Sequence, residues 1–177
     1  MSSKVKLTYE QVKKFTEAKI PDEVEDEILT RYAEFSLEGD MVVKDMVPYF
    51  ESLELPRRFY KHVRKDQVVI EGTDIVDFDK LLKLTYHILV FMDNETLIDS
   101  LWELLIRSSG KDRNGSVRDI KDHVLSIKDF QKIENYLGDA QNISLIDMVS
   151  VATGGKRVYI TYLDFAYVLG KLGYLRF

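Results

Sequence analysis

The 177-residue sequence contains no cysteine, which excludes a disulfide framework, a thiolate metal site and a cysteine nucleophile, and suits a reducing compartment. With only 3 prolines and 9 glycines, it is neither collagenous nor of low complexity. Histidine is scarce: His62, His87 and His123 lie far apart, and His62 with Asp66 and Glu71 is the nearest thing to an acid–base group. No GxSxG, P-loop or HExxH pattern occurs, so catalysis has no visible seat and the chain is expected not to be an enzyme. No apolar run approaches the roughly 20 residues that span a bilayer, and the opening MSSKVKLTYEQVKKF lacks an apolar core segment. A soluble, intracellular protein without membrane contact is expected.

What is present supports a packed core: 45% of residues are hydrophobic and 11% aromatic. Lys and Arg number 25 against 30 Asp and Glu, a formal charge of −5. That balance speaks against nucleic acid as the main ligand, because phosphate binding draws on clustered cations. DNA, if involved, is reached indirectly, through a partner. The acidic excess lies in residues 1–93, with 14 basic and 19 acidic groups, while 94–177 carry 11 of each. The basic cluster Arg57, Arg58, Lys61, Arg64 and Lys65 interrupts the acidic half and reads as a solvated face rather than a DNA contact.

Four segments repeat one pattern: MVVKDMVPYFESL from Met41, VDFDKLLKLTYHIL from Val76, LSIKDFQKIENYLG from Leu125 and ITYLDFAYVLGKLG from Ile160. Their starts are 35, 49 and 35 residues apart, which makes a pair of pairs. Apolar first and third residues suit a short extended piece. The fifth is Asp45, Lys80, Asp129 or Asp164, and a carboxylate there favours a helix N-terminus. The sixth and thirteenth residues are apolar throughout, and so is the ninth except for Tyr49 in the first segment, giving one stripe on one helical face.

A second helix precedes each segment. Glu23 to Phe35 follows Pro21 and carries Ile28, Tyr32 and Phe35; Pro56 to Lys65 offers Phe59, Tyr60 and Val63. Asn94 to Arg107 has the strongest stripe, with Leu97, Ile98, Leu101, Trp102, Leu105 and Ile106, and Ser144 to Ala152 supplies Leu145, Met148 and Val149. The expected fold is all-α, each repeat being helix, loop, short extended piece and helix.

These repeats resemble the EF-hand family, in which the eighth loop residue joins a short ladder with its pair mate and an acid closes the loop at position twelve. The resemblance implies two lobes of paired helix-loop-helix units like the calmodulin and centrin branch: an extension over 1–21, a first pair over 22–92 and a second over 93–177. EVEDEIL from Glu23, VVIEGTDIVDF from Val68 and LDFAYVLGKLGYLRF from Leu163 together resemble the fungal centrin-like nucleotide excision repair proteins that partner the xeroderma group C type damage sensor.

Read as calcium loops, all four are degenerate, since calcium needs six or more oxygens, a glycine at position six and a bidentate glutamate at twelve. The fourth, Thr153 to Asp164, puts Arg157 among the ligand positions and Val158 where glycine belongs; the second, from Val69, closes on Lys80. The first is about two residues short, and the third is stretched by SSGKDRNGSVRDIKDH before Asp129. A rival register through Asp112, Asn114 and Gly115 ends on Lys121. No metal and no cofactor are expected.

The resemblance implies a nuclear, calcium-independent adaptor, monomeric before binding, that stabilises the damage sensor by docking an amphipathic helix near that protein's C-terminal end. The expected docking residues are in the second lobe: Leu101, Trp102, Leu105, Ile106, Phe130, Ile133, Leu137, Met148, Val149, Phe165, Val168 and Leu172. A helix apolar over more than its core stripe implies a second buried face. The alternative is a calcium-regulated sensor or light-chain-like protein of the same fold.

Overall fold

Pro21 and the acidic run behind it start the first long helix. The Pro21 carbonyl accepts the opening bonds from the Val24 and Glu25 amides at 2.9 and 3.0 Å, and Asp22, Glu23 and Glu25 occupy the first turn, where negative charge meets the positive end of the helix dipole. The computed structural model describes residues 9–111, 119–137 and 145–177. Among these, the α-helices are α1 (Tyr9–Glu17), α2 (Asp22–Ser36), α3 (Met46–Ser52), α4 (Arg57–Tyr60), α5 (Phe78–Asp93), α6 (Glu95–Ser109), α7 (Ile127–Leu137), α8 (Leu145–Thr153) and α9 (Tyr162–Lys171). The protein is mostly helical, in agreement with an all-α class. Among the described residues no helix is long and apolar enough to cross a membrane.

Among the described residues, extended structure lies at the pieces that open the repeated segments, with one further bridge from Val69 to Val76. β1 (Leu125–Ser126) pairs antiparallel with β2 (Tyr159–Ile160), placing Leu125 opposite Ile160. In the first half the Val42–Ile75 bridge does the same: the Val76 amide donates to the Met41 carbonyl at 2.8 Å, and the Val43 amide to the Asp74 carbonyl at 3.0 Å. The four segment-opening residues, Met41, Val76, Leu125 and Ile160, are all buried. Each buried aliphatic side chain contributes about 1.5–3 kcal/mol, and a one-residue slip would turn it outward. Apolar burial therefore holds the register of ladders too short to hold it by hydrogen bonding.

The chain divides into two compact units, one running to Asp93 and joined by Phe177, the other Asn94–Arg176. In the first unit α2 packs against α3 and α5, and α3 against α4, over a core that includes Ile28, Tyr49, Phe50, Phe59, Leu81 and Ile88. Buried tyrosine needs a partner for its hydroxyl, and Tyr49 Oη lies 3.1 Å from Thr85 Oγ1. In the second unit α6 packs against α7 and α9, and α8 against α7 and α9. The Asn94 side chain ties the ends of this unit together, donating to the Arg176 carbonyl at 2.7 Å and accepting from its amide at 2.9 Å.

One helix departs from the sequence reading, and two further features lie where that reading made no assignment. The helix expected from Pro56 to Lys65 is a single turn at α4, because the Arg64 amide turns instead to the Gln67 side chain at 2.9 Å and Arg64 is extended. The extension over 1–21 contains α1, whose Phe15 is fully buried. Asn94, at φ −111° and ψ 14°, interrupts the helical backbone between α5 and α6. The register through Asp112, Asn114 and Gly115 lies outside the described residues.

Candidate functional site

The loops of the second unit are closed by side-chain cations. Arg157 donates through both terminal guanidinium nitrogens to the two oxygens of Asp164, each at 2.7 Å, a bidentate pairing suited to the planar fork of arginine. Asp164 also accepts from the Thr161 amide and hydroxyl, both at 2.8 Å. In the preceding loop Asp129 receives Lys111 Nζ at 2.8 Å and the Ser126 amide and hydroxyl at 2.7 Å. Burial alone would raise both carboxyls, but these hydrogen bonds and the neighbouring cations hold them below the ordinary aspartate value.

The first unit follows the same plan with different chemistry. Asp45 accepts from the Val42 amide at 3.0 Å, as Asp129 does from Ser126 and Asp164 from Thr161. The acid thus satisfies an orphan donor at the helix start as well as the dipole. Lys80, which closes the second loop, runs back along that loop and donates from Nζ to the Val69 carbonyl at 2.8 Å. Among the described residues no group of three or more His, Asp or Glu is placed to hold a metal ion.

The expected docking residues of the second unit fall into two sets. Trp102, Ile106, Phe130, Ile133 and Val149 are buried. Trp102 is completely enclosed; its Nε1 donates to the Ile120 carbonyl at 2.9 Å, and its ring meets Tyr162 edge-on at 6.2 Å and Phe165 at 5.3 Å. Leu101, Leu105, Phe165 and Val168 are half-buried, and Met148 and Leu172 are 41% and 40% exposed. Leu137 ends α7, with its side chain outside the described residues.

On α6 the two sets form separate stripes. Ile98, Trp102 and Ile106 at i, i+4 and i+8 face inward, while Leu97, Leu101, Leu104 and Leu105 make a second stripe beside them. On α8, Met148 and Val151 are exposed, and on α9 Phe165, Val168 and Leu172 share one face. The sequence reading did not single out Leu104 or Val151, which are 60% and 75% exposed. Their signal was available as apolar residues outside the core stripe.

A buried polar knot was also missed. Lys121 Nζ, on the turn Ile120–Asp122, contacts both Asp99 oxygens at 2.7 and 2.8 Å and Glu95 at 3.0 Å. It also sits over the Tyr162 ring, while the Tyr162 hydroxyl donates to Asp99 at 2.7 Å. Burial and these carboxylates push the tyrosine hydroxyl far above its ordinary value.

A family model described as Rad33 matches residues 66–141. The DNA repair protein RAD33 of Saccharomyces cerevisiae is 49% identical over 176 residues, which covers 99% of each chain. The chain belongs to the Rad33 family. No solved structure matches it. The stretch matched by the Rad33 model contains the Val69 to Lys80 loop, α5, α6 and α7, hence the double stripe of α6. The Arg157–Asp164 pair lies beyond that stretch but within the part aligned with the yeast relative.

The remaining candidates sit apart from these features. Asp66 is bonded to Arg64, Lys65 to Asp74, and Glu71 is exposed. His87 is buried on α5 with Nε2 2.9 Å from the Phe15 carbonyl and its ring 4.6 Å from the Phe15 ring. Burial drives its pKa below the ordinary histidine value, with Lys83 adding to the effect against the opposing Phe15 carbonyl.

Proposed function

We propose that this member of the Rad33 family acts in DNA repair as a non-catalytic nuclear adaptor, holding an amphipathic helix of a damage sensor against its second unit. The DNA repair role is supported by the name of the yeast relative. The nucleotide excision repair setting and the xeroderma group C type partner rest on the sequence resemblance. The observation that carries the helix-docking reading is the second apolar stripe of α6, which the unit's own core leaves partly uncovered, while α9, with Phe165 and Val168 half-buried, packs alongside. Exposed apolar faces shared by adjacent helices suit a helix presenting large side chains at i, i+3, i+4 and i+7. Leu101, Leu105, Phe165, Val168, Met148 and Leu172 make the contact, and Trp102, Ile106, Phe130, Ile133 and Val149 form the floor beneath it. Leu137 belongs to the same proposed set.

In this reading the units are EF-hand-like pairs that have lost ion binding. Their antiparallel register and the closing acid shared by three loops support that descent, and the Arg157, Lys111 and Lys80 contacts support calcium independence. Calorimetry of the full chain with a synthetic peptide of the sensor's C-terminal helix tests the proposal. Binding is expected without calcium and unchanged on adding it. Absence of binding, or binding only with calcium, overturns it.

A further inference from the structure

The first unit holds a cavity of about 300 Å³ between α3, α4 and the turn that follows. Met46, Phe50 and Tyr60 line its apolar part, and Arg57, Lys61 and Lys65 stand around it. Val47, 51% exposed, borders it and keeps it in reach of solvent. A cavity of roughly 150 Å³ suffices for benzene, so this one accepts an aromatic side chain with its stem. The Arg57 guanidinium is exposed and makes no ion pair within the described residues. Lys65 is paired with Asp74, but both side chains are more than half exposed, and such pairs exchange at little cost.

We propose that this cavity is a second docking site, which takes a bulky apolar side chain from an acidic peptide segment whose carboxylates meet Arg57, Lys61 and Lys65. The surrounding charge favours a short peptide over a nucleic acid. Residues 1–93 carry five more acids than bases, which repels a long polyanion, and a phosphate backbone would leave the apolar cavity unfilled. An acidic peptide with one aromatic residue uses both the cations and the cavity. The site lies wholly in the first unit and stands independently of the helix-docking reading for the second.

The test is nuclear magnetic resonance titration of the isotope-labelled full chain with the blocked pentapeptide Asp-Glu-Phe-Glu-Asp. Amide shifts are expected at Val47, Arg57 and Val63, with millimolar or tighter affinity. Val47→Asp, and separately Arg57→Glu with Lys61→Glu, are expected to weaken binding about tenfold or more. Val151→Asp in the second unit leaves it unchanged. All these positions are partly or fully exposed, so each variant should keep the wild-type spectrum elsewhere. No shift around the cavity overturns the proposal. So does equal binding of the peptide with alanine in place of phenylalanine, or tighter binding of a short DNA duplex at the same amides.

Discussion

Arg157 and Asp164 form a two-point ion pair, 2.7 Å at each contact, across the loop that joins α8 to α9. Their side chains are 13% and 7% exposed, so the pair is largely shielded from water. A cation belonging to the chain stands where a calcium-binding loop would gather oxygens around an ion. The pair ties position 157 of the loop to position 164 through the chain's own side chains.

Removing one member of a buried pair leaves the other uncompensated, at a cost of about 3–5 kcal/mol. Arg157→Ala is expected to lose stability toward the lower end of that range, since Thr161 still donates twice to Asp164. Urea denaturation measures it. Calcium should shift the midpoint of neither the wild type nor the variant, and rescue by calcium would show a loop still able to coordinate the ion.

Acid should destabilise the protein in two stages. His87 has a folded pKa below its ordinary 6.5, so the unfolded chain takes up the proton first. Its contribution is complete above pH 6.5 and falls as pH drops from there toward the depressed value. Asp129 and Asp164, held below 3.8, contribute fully above that pH and lose their contribution as it falls through their lowered values. Thermal melts across the acid range should show both stages, and His87→Phe should remove the first alone.

Core and contact roles on α6 separate by mutation. Trp102→Ala is expected to cost about 3–5 kcal/mol of stability, because the indole is fully enclosed and hydrogen-bonded. Leu101→Asp and Leu105→Asp, in the half-buried stripe, should cost much less stability yet weaken a docked helix by about 2 kcal/mol. Denaturation and calorimetry on the same variants read the two effects. Unimpaired binding by both leucine variants would remove α6 from the interface.

Lys121→Ala should destabilise the second unit by about 3 kcal/mol, because Asp99 and Glu95 lose their shared cation. Part of the loss should be recovered in Asp99→Asn with Lys121→Ala, where less negative charge is left unpaired. Strict additivity in that double-mutant cycle would show the contacts to be independent.

Much of the architecture was legible from periodicity. The spacings from Met41, Val76, Leu125 and Ile160 located the residues that face each other in the ladders, since apolar burial leaves a regular trace along the chain. α4 was overestimated because Phe59, Tyr60 and Val63 keep a helical spacing, whereas the helix ends at Tyr60 and the Arg64 amide donates to the Gln67 side chain instead. α1 was not assigned because its one fully buried residue among those described, Phe15, meets a partner, His87, 72 positions away.

The sequence by itself determined the helical class and the pairing of the repeats, because each depends on residue type at a local spacing. Only the tertiary structure decided that Arg157 closes on Asp164, that Lys121 is buried between Asp99 and Glu95, and that Trp102 is core while Leu104 is surface. Those outcomes depend on which helices meet, and a stripe of leucines carries the same pattern whether its neighbour is the chain's own core or the solvent.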